Sequence, residues 1–422
     1  MWAFDALVIY LGAQRGDHHP TARNRALSLV KGGHKSAMFE SVRTRFTDTF
    51  GDAHGVEVTM APGRVNLIGE YTDFNDGFVF PMTVDRGAYV AMRPRTDQRV
   101  SIVSVRYEER IEYALDQMPK VVQGHWSCYV LGIIEELRKL NLVTGGFEAV
   151  IDGDLHLGAG LSSSAALEMA TALALQGAFG FEMSRIDIAT LCQRVEHQYA
   201  NVLCGIMDQF ASGLGRSGHA LLLDCRSLTH VDIPLQLGDY RIVIMSSEVK
   251  RALASSAYNQ RRQECEAGVA LLKQYDPSVT ALRDVTADLF EAHATKLSST
   301  IQQRCQHVIT ENQRTLDASA ALLESDFHRF GELMTASHLS LRDDFEVSCD
   351  ELDYLVELAM GTEGVFGARM TGAGFGGCTI SLAHKDSIDT LANQLSLYQA
   401  RFNLTPGMFV LKTNLEAGVI SP

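Results

Sequence analysis

Residues 157–175, LGAGLSSSAALEMATALAL, constrain this chain more than any other stretch. A strand-like run over residues 147–152 leads into Gly158-Ala159-Gly160; Ser162, Ser163 and Ser164 follow, and a strongly helical sequence begins at once. Glycine admits backbone shapes closed to other residues, and serine caps helices by accepting from their orphan N–H groups. A glycine loop that opens a helix aims unpaired N–H groups and the positive end of a helix dipole at one spot, which suits phosphate. No Gly-Lys-Ser/Thr follows the glycines, so this is not a Walker A loop. A plain βα turn with a capped helix fits the same residues, and this stretch alone leaves both readings open.

The chain has 422 residues, enough for two or three domains with real cores. Its net charge of -14 argues against broad nucleic-acid binding, so an anionic ligand must be held by local positive features. Eight cysteines are scattered without a C-x-x-C pair, which fits thiols in a reducing compartment and not a disulfide framework or zinc site. No run approaches the roughly 18 apolar residues of a membrane span. A cytoplasmic protein without nucleic-acid or membrane partners is expected. Residues 1–37 show no sustained periodicity, whereas Phe39, Val42, Phe46 and Phe50 share one helical face, so the folded domain is expected to start at Met38.

Residues 56–60 read as a strand running into residues 61–81, where Arg64, Asn66, Glu70, Tyr71, Thr72, Asp73, Asn75 and Asp76 interleave with Val65, Leu67, Ile68 and Phe74. A strand lining a cleft would carry that mixture. Carboxylates such as Glu70 and Asp73 accept from paired sugar hydroxyls, and Arg64 offers a fixed cationic fork. A surface turn with one structural Arg–Asp pair is the alternative. Further on, a helix over residues 186–202 carries Glu196 near its C-terminal end, where the dipole disfavours negative charge. A metal ion is one reason for a carboxylate there, and simple solvation is another. Asp208 lies between Ile206-Met207 and Phe210-Ala211, where burial demands a partner, although it could also cap a helix over residues 209–214. Strands are expected at 220–224 and 241–245 with a loop between them. Long helices are expected at 301–323, 327–341 and 352–360, and strands at 365–370 and 379–382 around Gly372, Gly374, Gly376 and Gly377.

Residues 61–77 resemble the galactokinase signature. GAGLSSSAA, residues 158–166, resembles the phosphate loop of the wider superfamily of galactose, homoserine, mevalonate and phosphomevalonate (GHMP) kinases, and TGAGFGGC, residues 371–378, resembles its third motif. The three occur in order, and the similarity runs from about residue 38 to near the end of the sequence. The resemblance implies an α+β, two-lobed fold with the active site in the cleft, one lobe over residues 38–245 and the other over 246–422. It implies transfer of the γ-phosphoryl of MgATP to the anomeric hydroxyl of D-galactose by a monomeric enzyme. The implied roles are catalysis for Asp208 and Arg64, and sugar binding for Glu70, Tyr71, Thr72, Asp73, Gly205 and Tyr258. ATP would lie on Ser104, Gly158, Ala159, Gly160, Leu161, Ser162, Ser163 and Ser164, with Mg²⁺ on Ser164 and Glu196. One departure stands out: Tyr71 occupies the place of the family's usual histidine, which keeps a kinase for a related sugar open. A non-catalytic sugar sensor is the reading from another class, and the intact Ser164-Ala165 and matching metal and base positions count against it.

Overall fold

The computed structural model of the chain describes residues 33–155, 160–249, 254–412 and 415–420. Its first helix, α1 (Gly33–Phe50), already includes residues 33–37, so the expected domain start at Met38 falls inside a helix. The rest of the 1–37 segment lies outside the described residues. The apolar face read from the sequence is present: Phe39, Val42 and Phe46 are buried against Val58, Met60, Tyr89 and Val150.

Those partners belong to a nine-stranded sheet. It contains β1 (Glu57–Asn66), β2 (Phe78–Val79), β3 (Pro81–Pro94), β4 (Arg99–Ser104), β5 (Glu109–Ala114) and β6 (Phe147–Gly153). Two later strands, β7 (His219–Asp224) and β8 (Thr229–Pro234), join it through β2 and β3. β3 shows why the sheet has helices on both faces. Its Tyr89 and Ala91 point to the α1 side, while Ala88, Val90 and Met92 enter a second core on the other face, the period-2 pattern of a doubly covered strand. That second face is covered by α2 (Ser127–Lys139), α3 (Ser163–Phe179), α4 (Arg185–Val195) and α5 (Met207–Leu214). The Ala-, Leu- and Met-rich sequence of α3 makes it a strong helix former that can lie close to β1 and β3.

A four-stranded antiparallel sheet forms the second layer system, in the order β10 (Val365–Thr371), β11 (Cys378–His384), β9 (Tyr240–Ser246), β12 (Gly407–Val410). Around it lie α6 (Ala254–Leu272), α7 (Ala287–His293), α8 (Ser299–Leu323), α9 (Phe327–Asp343), α10 (Asp350–Met360) and α11 (Ile388–Phe402). The fold is the expected α+β type, with four corrections to its details. Residue 245 lies inside β9, which pairs within the second sheet, so the lobe boundary falls between Pro234 and Tyr240. The strand Gly418–Ile420 pairs with β1, so residues 246–422 do not form one lobe. The loop expected between 224 and 241 contains β8, in which His230 and Asp232 alternate with the buried Val231 and Ile233, a short period-2 strand pattern. The helix expected over 186–202 ends at Val195 and continues as a π turn, Glu196–Ala200.

Candidate active site

The site begins with a break in strand β1. Its register against β3 shifts between Pro62 and Arg64, a bulge of the kind that re-aims a side chain. The Arg64 amide donates to Leu161 O at 3.1 Å, while its buried guanidinium reaches two partners. Nε donates to Asp208 Oδ1 at 2.8 Å, Nη2 lies 2.6 Å from the same oxygen, and Nη1 donates to Gly160 O at 2.6 Å. Ser162 Oγ donates to the other carboxylate oxygen, Oδ2, at 2.6 Å. Asp208 therefore does not cap its own helix; the N-cap position of α5 is Ile206, and Asp208 sits in the first turn.

Ser162 holds the N-cap position of α3 with φ +56 and makes no capping bond, because its hydroxyl is committed to Asp208. The leading N–H groups of a helix have no intrahelical partner. Elsewhere in the chain Ser184 and Ser298 cap α4 and α8. At α3 that function is missing, and the helix start opens onto the cavity lined by Ser162, Ser163 and Ser164.

Opposite lies the loop after β1. Glu70 is fully enclosed, and its carboxylate accepts from Gly372 N at 2.6 Å, Thr371 Oγ1 at 3.3 Å and Arg369 Nη1 at 3.3 Å, as well as from Asn66 Nδ2. Burial pushes the Glu70 carboxyl up, against the opposing charge of Arg369. Asp73, partly buried at the wall, is pushed up to about 6 by burial and by the charge of Asp208. Tyr71 packs its ring against Phe345 and Tyr258 at centroid distances of 4.6 and 5.1 Å and donates its hydroxyl to Ala373 O at 2.6 Å. Thr72 is buried with Oγ1 at 2.6 Å from Phe78 O and 2.9 Å from Gly69 O, and it does not line the cavity. Gly205 is not on the lining either. A Cβ there would run into the Asp73 carboxylate, so its role is to leave room.

Arg64, Glu70, Tyr71, Asp73, Asp208 and Tyr258 thus share one cavity of about 290 Å³ with Gly160, Leu161, Ser162, Ser163, Ser164 and Glu196. Ser163 and Ser164 also line a neighbouring cavity of about 270 Å³, where Ser104 is found. Gly158 and Ala159 lie outside the described residues. Glu196 is buried beside Ser164, and burial pushes its carboxyl up to about 7 although the Ser164 hydroxyl opposes this. Sequence reasoning missed Tyr129, which lines both cavities, and the rings of Tyr107 and Trp126, stacked at 5.8 Å beside Ser104. It also missed Arg369, whose lone charge among the apolar residues of β10 was the available signal.

This geometry has close relatives. The galactokinase galactose-binding signature matches residues 44–94, the GHMP kinases N terminal domain residues 128–216, and the GHMP kinases C terminal region residues 318–400. A galactokinase of Roseiflexus sp. (strain RS-1) is 44% identical over 355 residues, 84% of this chain and 90% of that protein. The chain belongs to the galactokinase family. A galactokinase of Staphylococcus carnosus (strain TM300) is 40% identical over 377 residues, covering 88% of this chain and 97% of its own length. The crystal structure of Lactococcus lactis galactokinase complexed with galactose superposes with a TM-score of 0.88 at 36% identity, covering 91% of this chain and all of that one. A mevalonate kinase at 18% identity and a TM-score of 0.60 shares the fold. Galactokinase membership makes the chain an ATP-dependent sugar kinase, in preference to a sensor or a kinase of another sugar.

Proposed function

We propose that the chain transfers the γ-phosphoryl of MgATP to the anomeric hydroxyl of D-galactose, with Asp208 taking the hydroxyl proton. The observation that carries this reading is Asp208 itself, held between Arg64 and Ser162 on the cavity that leads to the open end of α3. As the sugar oxygen bonds to the γ-phosphorus, its proton passes to the Asp208 carboxylate. The bond from that phosphorus to the β–γ bridging oxygen breaks, and ADP leaves. Arg64 holds the Asp208 carboxylate in place and spreads the charge that builds on the transferring group. Glu70, Asp73 and Tyr258 line the sugar pocket, with Tyr71 on its wall, Thr72 bracing the loop and Gly205 making room for Asp73.

The nucleotide phosphates fit the uncapped start of α3, over Gly160 to Ser164, and Ser104 belongs to the adjoining cavity. Among the described residues no three His, Cys, Asp or Glu side chains converge as a metal cage. The Ser164–Glu196 pair nevertheless suits Mg²⁺, which is commonly held by one or two protein oxygens together with phosphates and water. A buried carboxylate whose ionisation is opposed by burial is a group that a cation would satisfy. Bound there, the ion would neutralise charge on the phosphates. A cytoplasmic setting agrees with eight free cysteines, and no described helix is long and apolar enough to cross a membrane.

Asp208→Asn preserves shape and removes the proton acceptor. Its turnover is expected to fall at least about 100-fold, while ATP still binds and the circular dichroism spectrum is unchanged. Near-normal turnover in the folded variant overturns the role. A panel of sugars tests the substrate: galactose is expected to have the highest kcat/KM, and another sugar ahead by about tenfold (~1.4 kcal/mol) overturns it.

A further inference from the structure

One side chain bridges the sugar-side loop and the glycine loop after β10 and has no task in the chemistry above. Tyr71 has φ +67, a left-handed conformation that bulky residues adopt only when their surroundings hold them there. Phe345, Tyr258 and Phe74 surround its ring at 4.6, 5.1 and 6.1 Å. Its hydroxyl proton goes to Ala373 O at 2.6 Å, so it is not offered to a sugar hydroxyl.

Ala373 stands between Gly372 and Gly374, at φ +78 and +69. Such a glycine-flanked segment has many backbone states unless something selects one. Gly372 N donates to Glu70 Oε1 at 2.6 Å, and its backbone comes so near the phosphate loop that a Cβ would stand 3.3 Å from Gly160 O. Gly160 O in turn accepts from Arg64. A continuous set of contacts therefore runs from the aromatic cage, through Ala373 and Gly372, to the loop at the start of α3.

We propose that Tyr71 is a positioning residue that couples the two substrate pockets: its hydroxyl latches the glycine loop, so that a sugar held against Tyr71 and Tyr258 also fixes the phosphate loop for the nucleotide. This rests on the reading of the two cavities as sugar and nucleotide sites. The coupling is reciprocal, because two ligands that favour the same loop arrangement favour each other equally.

Titration calorimetry tests it. The Kd of a non-hydrolysable ATP analogue with Mg²⁺ is measured with and without saturating galactose, on wild type, Tyr71→Phe and Tyr71→His. The wild type is expected to bind the analogue about three- to tenfold tighter with galactose, the scale of one buried neutral hydrogen bond. Tyr71→Phe keeps the ring and loses the donor, and its ratio is expected to fall to within about twofold of unity. Tyr71→His, with a shorter reach, is expected to lose the coupling as well and serves if the phenylalanine variant melts early. A bystander that only stabilised the fold would shift the melting temperature and leave the ratio alone. A folded Tyr71→Phe with the wild-type ratio overturns the latch, as does a wild type that phosphorylates galactose without coupling. A wild type that neither binds nor phosphorylates galactose overturns the substrate reading, and the latch with it.

Discussion

The loop that follows β1 and the loop that opens α3 face one cavity and use their polar groups in opposite ways. In the first, protein partners hold nearly every group the geometry describes. Gly69 N donates to Glu311, Glu70 O meets His307 Nε2, Asn75 Nδ2 donates to Tyr71 O, and the Glu70 carboxylate has four donors. In the second, the N-cap serine turns away to Asp208 and leaves a helix end without its cap. A neutral sugar brings no charge, so it must be selected by acceptors fixed in place. A phosphate brings its own charge and needs only donors left open. The difference between the loops is the one that a sugar site and a phosphate site would require.

The largest expected effect breaks the rigid side of that contrast. Arg369 is fully buried, with Glu70 at 3.2 Å and Glu311 at 3.8 Å from its Nη2. Arg369→Met leaves both carboxylates enclosed without it and is expected to lower unfolding stability by about 3–5 kcal/mol in urea titrations. A loss below about 1 kcal/mol would mean that Arg314, which pairs with Glu311 at 2.8 Å, and the Glu70 donors suffice. The open side is tested next. Glu196→Gln replaces a hard anionic ligand by an amide, and the Mg²⁺ concentration for half-maximal rate is expected to rise about tenfold or more. An unchanged Mg²⁺ dependence would leave the buried carboxylate without a metal.

The smallest effect sharpens the comparison, because it concerns a sugar-side carboxylate that has no cationic partner of its own in the loop and accepts from Phe74 N at 3.0 Å. Asp73 titrates near 6, above its usual range, so its ionised form costs the unliganded fold stability. That cost is fully present above about pH 6 and is relieved as pH falls from there towards 4, because the folded state then binds the proton before the unfolded chain does. Asp73→Asn should therefore stabilise the unliganded protein by about 1 kcal/mol at pH 7.5, with the gain vanishing near pH 4, while weakening galactose binding. Thermal melts across that pH range and galactose titration check both halves. A variant less stable than wild type at pH 7.5 would show that the bonds from Phe74 N and Met207 N outweigh the burial.

The comparison also explains what the sequence revealed. Chemistry-bearing residues are crowded into short motifs, so Arg64, Glu70, Asp73, Ser164, Glu196, Asp208 and Tyr258 are legible in the sequence, and all line one cavity. Residues that hold the motifs in place were hidden. Arg369 and Glu311 come from β10 and α8, and only packing shows that they meet at Glu70. Thr72 and Gly205 were given to the sugar because they share its motifs, but a hydroxyl bound to its own loop and a missing Cβ are structural facts. The lobe boundary was misplaced because Tyr240–Ser246 is apolar enough to suit either sheet. Its pairing with β11 and β12 is non-local, and no local pattern encodes it.

The short strand Gly418–Ile420 bears on how the enzyme is made. It pairs with Val58, Thr59 and Met60 on the outer edge of β1, the strand that ends in Arg64, and Ile420 is buried beside Phe46 in the core under α1. During synthesis that edge stays bare until residues 418–420 emerge from the ribosome, long after the rest of the first sheet has been translated. Exposed strand edges recruit other strands, and slowly completed sheets are prone to misassociation. The nascent chain thus carries a vulnerable seam from the translation of β1 until residues 418–420 are made and close it.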